Sequence, residues 1–118
     1  MSKNVDFPDS RQIAEAVTRQ RLLAEQLFNA LVELSHDPEG GVTRAPYSPE
    51  ETRVHQRFGE IAETLGLKVT RDAMANTYMT LPGRDPAAKK ILTGSHLDSV
   101  RQGGNFDGAA GVVAGLVA

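Results

Sequence analysis

The chain has no cysteine, so it forms neither a disulfide nor a thiolate nucleophile, and any metal it holds must sit on nitrogen and oxygen ligands. That leaves His36, His55 and His96, with the carboxylates, as candidates. An excess of charge of one sign is also missing. Thirteen Lys and Arg stand against 15 Asp and Glu, a net charge of -2, which gives no electrostatic reason to expect nucleic acid or an anionic membrane as a partner. No apolar run approaches the ~20 residues of a membrane-spanning helix. The longest, GAAGVVAGLVA, reads as a packed helix. The opening MSKNVDFPDSRQ lacks the basic-then-apolar order of a secretory signal, so the cytoplasm is the expected location. There is no internal repeat and no low-complexity segment, and 118 residues amount to one domain at most.

What is present has the periodicity of a layered α/β domain. From Ser10, apolar residues at Ile13, Val17, Leu23, Leu27, Leu31 and Leu34 predict a long amphipathic helix ending near Ser35. HDPEGGVTRAPYSPEE, with two prolines and a Gly-Gly pair ahead of Ser48, is a loop. Ser48-Pro49-Glu50-Glu51 has the form of a capping box, with proline at the first helical position. The helix it opens carries Val54, Phe58, Ile61 and Leu65 on its apolar side and ends at Gly66. LKVTRD, NTYMTLPG and KKILTGS predict three strands, the last two paired as a hairpin through Pro82-Gly83 and Asp85-Pro86. A final helix begins around Gly108, and Gly108, Gly111 and Gly115 cost helix propensity that close packing against a sheet would offset. The order is helix, helix, three strands, helix. Because the last apolar run reaches Ala118 without a capping glycine or a basic last turn, the chain is expected to be a truncated piece of a longer protein.

The chemistry gathers in TGSHLDSVRQGGNFDGAAG. If KKILTGS is extended, His96 stands at its C-terminal end, where α/β sheets place their sites, and alternation puts His96 and Asp98 on one side. A carboxylate there accepts a hydrogen bond from the imidazole nitrogen that binds no metal, which fixes the tautomer and raises basicity. Asp107 returns past Gly103-Gly104 to the start of the last helix, where exposed amides keep a carboxylate ionised. Blander roles fit the same spacing: Asp107 as a helix N-cap, His96 as a surface histidine, Asp98 and Ser99 as turn residues.

The string GSHLDSVRQGGNFDGAAGVVAGL, with GGVTRAPYSPEE upstream, closely resembles the first metal-binding segment of the dinuclear metal-dependent amidohydrolases related to aminoacylases and zinc carboxypeptidases. Its Gly-Ser-His-x-Asp-Ser-Val start and Phe-Asp-Gly look most like the hydantoinase/carbamoylase branch, which includes N-carbamoyl-L-amino-acid hydrolases and allantoate amidohydrolases. The resemblance implies a zinc-peptidase-like layered domain of which residues 1–118 are the N-terminal portion. It implies two divalent ions (Zn, Mn, Co or Ni) about 3.5–4 Å apart that activate a shared water and polarise the scissile carbonyl. His96 then looks like a ligand of one ion, Asp107 like the bridging carboxylate, and Asp98 like the catalytic residue that orients the histidine. The implied substrate is a small N-carbamoyl or ureido acid, and the complete protein is expected to be a homodimer.

The family also supplies a downstream Glu-Glu pair, two later histidines and a lid or dimerisation domain, none of which lies in these residues. Glu50-Glu51 stands at a helix start and does not replace that pair. His36 and His55 match no ligand position and are expected to be solvent-exposed, and Arg44 is expected to be a surface loop residue. By itself the chain is expected to be inactive. An aminoacylase or peptidase of the same superfamily, or a short non-catalytic binding or assembly module, are the alternatives.

Overall fold

The computed structural model describes residues 8–118. Its N-terminal helical region has two parts, α1 (Ser10–Arg19) and α2 (Arg21–Ser35), joined at Gln20. The single long helix expected from the apolar stripe is thus divided. The step from Val17 to Leu23 explains why: six residues at about 100° each rotate the face by about 240° beyond a full turn, so the two apolar stripes do not line up. Asp9 caps α1, its carboxylate accepting from the Gln12 amide at 2.8 Å while the Gln12 side chain accepts from the Asp9 amide at 2.9 Å. No residue of α1 is buried, whereas α2 buries Leu27, Ala30, Leu31 and Ser35.

The second predicted helix is α3 (Pro49–Thr64), capped by Ser48, whose hydroxyl accepts from the Glu51 amide at 3.2 Å. The reciprocal half of the box is displaced by one residue: the Glu51 carboxylate accepts from the Tyr47 amide, because the Ser48 amide is already bonded to Ala45 O at 3.0 Å. Its C-terminus closes as expected at Gly66 (φ 83°), with Gly66 N–H donating to Glu63 O and Leu67 N–H to Ala62 O. That is a Schellman motif, in which a left-handed residue suits glycine. Replacing Ser48 by Ala should lower stability by about 1 kcal/mol, read from the urea midpoint, since one helix amide loses its acceptor.

Two strands form among the described residues, not three: β1 (Lys68–Arg71) and β2 (Thr77–Thr80), antiparallel, with Lys68 opposite Thr80 and Arg71 opposite Thr77. The hairpin is therefore made by the first two predicted strands. Asp72 builds its turn, accepting from the Met74 and Asn76 amides at 2.9 Å, from Asn76 Nδ2 at 2.9 Å and from the Tyr78 hydroxyl at 3.1 Å. Asp85-Pro86 does form a turn, with Asp85 accepting from the Ala87 amide at 2.9 Å. It leads, however, into a segment, 89–95, that forms neither helix nor strand, and Ile91 and Leu92 are 98% and 82% exposed. β-Rich composition sets an extended backbone, but pairing depends on the edge to which the connection delivers it.

The last helix, α4 (Ala109–Val117), starts where expected and lies against that segment. A Cβ on Gly111 would stand 2.7 Å from Ser95 Cβ, and one on Gly115 would stand 3.1 Å from Thr93 Cγ2. The glycines thus permit the close approach that their propensity cost foreshadowed, against a single unpaired segment in place of a sheet. Leu27 and Leu31 of α2, Val54 and Phe58 of α3, Leu97, and Ala109 and Val113 of α4 form one core. Through Leu97 that core anchors the segment carrying His96 and Asp98.

Candidate metal half-site

The segment from Thr93 to Gly111 is laced to the loop that follows α2. Val42 N–H donates to Gly103 O at 3.0 Å and Gly103 N–H to Val42 O at 2.8 Å, while Thr43 Oγ1 accepts from the Gln102 amide at 2.9 Å. The reversal expected at Gly103-Gly104 is centred one residue earlier, on Gln102 (φ 54°). Gly103 is needed for space: a Cβ there would meet Val100 O at 3.0 Å.

His96 and Asp98 meet. His96 Nδ1 lies 3.0 Å from Asp98 Oδ1 and 3.2 Å from the Asp98 carbonyl oxygen. A carbonyl only accepts, so Nδ1 carries a proton, and in the neutral imidazole the lone pair then stands on Nε2, the arrangement a metal-binding imidazole requires. Their side chains are 52% and 35% exposed, which leaves the imidazole approachable.

Gly108 seats the ring. Its φ of 68° and ψ of -54°, with Ala109 N–H donating to Asp107 O at 2.7 Å, make a γ-turn of the strained hand. A Cβ built there would fall 2.3 Å from His96 Cε1 and 2.5 Å from each ring nitrogen. The imidazole fills the place of the missing side chain. Asp107, one residue before, is exposed. It is not the helix cap: Gly108 is, and no side chain accepts the first amides of α4. The simple capping role for Asp107 is thereby set aside. The carboxylate stands in sequence next to the glycine that touches the imidazole.

Among the described residues no group of three or more His, Cys, Asp or Glu side chains converges as a metal cage. What these residues supply is an exposed imidazole whose Nδ1 is held by Asp98 and an exposed carboxylate that caps nothing. The donor set, one borderline nitrogen and one hard oxygen, fits a divalent transition ion.

Two residues differ from expectation. Arg44 is fully buried, not a surface residue. Its Nε donates to Leu97 O at 2.6 Å and its Nη1 to Ser35 Oγ at 2.9 Å and Asn105 Oδ1 at 3.4 Å. Burial holds its pKa below the ordinary guanidinium value, while the nearby Asp98 carboxylate supports the charge. A Gly-Gly-x-Thr-Arg string gives no sign of this, because two of the three acceptors, Leu97 O and Asn105 Oδ1, come from residues more than fifty positions away.

His55 is also less exposed than expected. Its side chain is 22% exposed, Nδ1 lies 2.9 Å from Thr77 Oγ1, and Nε2 lies 3.7 Å from Glu51. Burial depresses its pKa, with Glu51 opposing and Arg71 adding to the depression. The unfolded chain therefore takes up the proton first as pH falls. Stability should be complete above the unfolded histidine value of about 6.5 and decline as pH drops through it, and urea midpoints of the His55→Gln variant should lose that slope. An unchanged slope would exclude His55 as its source. His36, at the C-cap of α2, is exposed as expected.

No family model matches the chain. An N-carbamoyl-L-amino-acid amidohydrolase of Paenarthrobacter aurescens is 41% identical over 104 residues, 86% of this chain and 25% of its own length. An allantoate amidohydrolase of Escherichia coli (strain K12) is 36% identical over 102 residues, again 86% of this chain and 25% of its own length. The crystal structure of a hydantoinase/carbamoylase family amidase from Burkholderia ambifaria superposes with a TM-score of 0.69 at 34% identity, covering 79% of this chain and 24% of that one. The chain thus spans about a quarter of the length of the curated relatives it matches. It belongs to the hydantoinase/carbamoylase family of amidohydrolases. No helix among the described residues is long and apolar enough to cross a membrane.

Proposed function

We propose that residues 1–118 are the N-terminal portion of the metal-binding domain, zinc-peptidase-like in its layering, of a metal-dependent amidohydrolase that cleaves a C–N bond of an N-carbamoyl amino acid or related ureido acid. The observation that carries the reading is the His96 imidazole seated on Gly108 with Nδ1 held by Asp98, an arrangement in which Nε2 would be the ligand nitrogen. The 41% identity to an N-carbamoyl-L-amino-acid amidohydrolase supports the substrate class.

In this reading His96 and Asp107 are ligands of a pair of divalent ions, Zn, Mn, Co or Ni, with Asp107 shared between them. When bound, the pair lowers the pKa of water and polarises the carbamoyl carbonyl. The chain's own contribution is to hold the parts. Asp98 keeps the proton on His96 Nδ1 and so keeps the other nitrogen free. The Gly108 γ-turn brings the Asp107 backbone beside the ring. Water adds to the carbamoyl carbon, the C–N bond to the amino acid breaks, and the carbamate released decays to ammonia and carbon dioxide. The general base and remaining ligands lie in the rest of the protein, and a cytoplasmic homodimer is the form proposed for the whole by family resemblance.

The test is an assay of the complete protein, metal-free and reconstituted, on N-carbamoyl amino acids, allantoate, N-acetyl amino acids and dipeptides. Metal-dependent turnover of the carbamoyl or ureido substrates is expected. Preference for acyl or peptidyl amides would move the protein to the aminoacylase or peptidase side, and no turnover with any metal would favour a binding module.

A further inference from the structure

Arg44 is the most heavily engaged buried charge of the described residues, and its partners are not random. Leu97, whose carbonyl it holds at 2.6 Å, is the residue between His96 and Asp98. Asn105, which it reaches at 3.4 Å, is two residues before Asp107 and donates in turn to Phe28 O at 3.1 Å. Ser35, at 2.9 Å, is the last residue of α2. The main chain of Arg44 is pinned to the same segment: its amide donates to Ser99 Oγ at 3.0 Å and its carbonyl accepts from Ser99 N–H at 2.8 Å. One planar group therefore ties a fixed helix end to both arms that carry the half-site. A buried guanidinium is costly, and here Nη2 is buried without a hydrogen-bond partner among the described residues. An apolar residue would fill such a place at lower cost were packing the only need.

We infer that Arg44 is a positioning residue of the half-site, setting the spacing of His96 and Asp107 by gripping the backbone at Leu97 and the side chain of Asn105. The inference rests on the metal-site reading above. A lysine keeps the charge but not the planar fork that bonds in three directions, so geometry and charge can be separated.

The experiment is calorimetric titration of Mn2+ into the complete, metal-stripped protein as wild type, Arg44→Lys, Arg44→Gln, Asn105→Ala and His96→Ala, each measured well below its own unfolding midpoint. Both arginine variants should bind at least about 10-fold more weakly than wild type while folded, in the range seen when residues behind metal ligands are removed. A purely structural role would lower the midpoint and leave the affinity of the folded molecules unchanged. Wild-type affinity in Arg44→Gln, or rescue by lysine, would overturn the positioning role with the site reading intact. Wild-type affinity in His96→Ala would overturn the site reading itself. Should both arginine variants fail to fold, Asn105→Ala decides: weakened binding supports the clamp, and unchanged binding overturns it.

Discussion

Replacing His96 by Ala, or Asp107 by Asn, in the complete protein should lower metal-dependent turnover by more than about 100-fold and strip metal from the dialysed enzyme. Removing residues that merely orient a ligand already costs about 10–100-fold, and these two are proposed as ligands themselves. Asp98→Asn supplies the graded control. The amide oxygen still accepts from His96 Nδ1, now bonded at 3.0 Å to the carboxylate, but without its charge. Its loss should therefore fall inside that 10–100-fold range and below that of the ligand variants. Turnover and metal content equal to wild type in His96→Ala would sink the assignment.

The second large effect is expected at Gly108. An alanine there must adopt φ near 68°, a left-handed conformation that costs an L-residue roughly 1–2 kcal/mol, and its Cβ would fall 2.3 Å from the His96 ring. Both the turn and the imidazole must move. Gly108→Ala should lower the urea midpoint and weaken Mn2+ binding by at least about 10-fold, since the imidazole proposed as a ligand is displaced. Gly104→Ala is the matched control, because a Cβ at Gly104 meets nothing within 4 Å. If the two variants bind metal alike, the imidazole does not depend on its seat.

Local sequence signals suffice where a short stretch contains its own partners. Ser48-Pro49 opens α3 and Gly66 closes it, because a cap and a C-terminal glycine act within a few residues. The pairing of His96 with Asp98 follows from their spacing of two, and the start of α4 at Ala109 follows from the change of composition. The third strand failed for the opposite reason. Residues 89–95 have strand composition, yet a ladder requires a facing edge, and the turn at Asp72 gave β1 and β2 to each other. The division at Gln20 was written in the six-residue step from Val17 to Leu23, although the apolar count alone concealed it.

By itself the sequence determined which chemistry was open to this protein. Without cysteine, with three histidines and a balanced charge, it pointed to an imidazole and carboxylates in one nineteen-residue stretch, and the resemblance of that whole stretch to a known segment pointed to the family. Only the tertiary structure decided how that stretch is held. Gly108 looks in sequence like any glycine at a helix start, and its need for a positive φ appears only when the imidazole occupies the position of its absent side chain. Arg44 looks like a loop residue until helix α2 and residues 97–105 close around it. For Arg44 two of the deciding partners lie more than fifty residues away, and for Gly108 the partner lies twelve residues back across a chain reversal. The free energy of such contacts depends on distance and direction that local propensity does not contain.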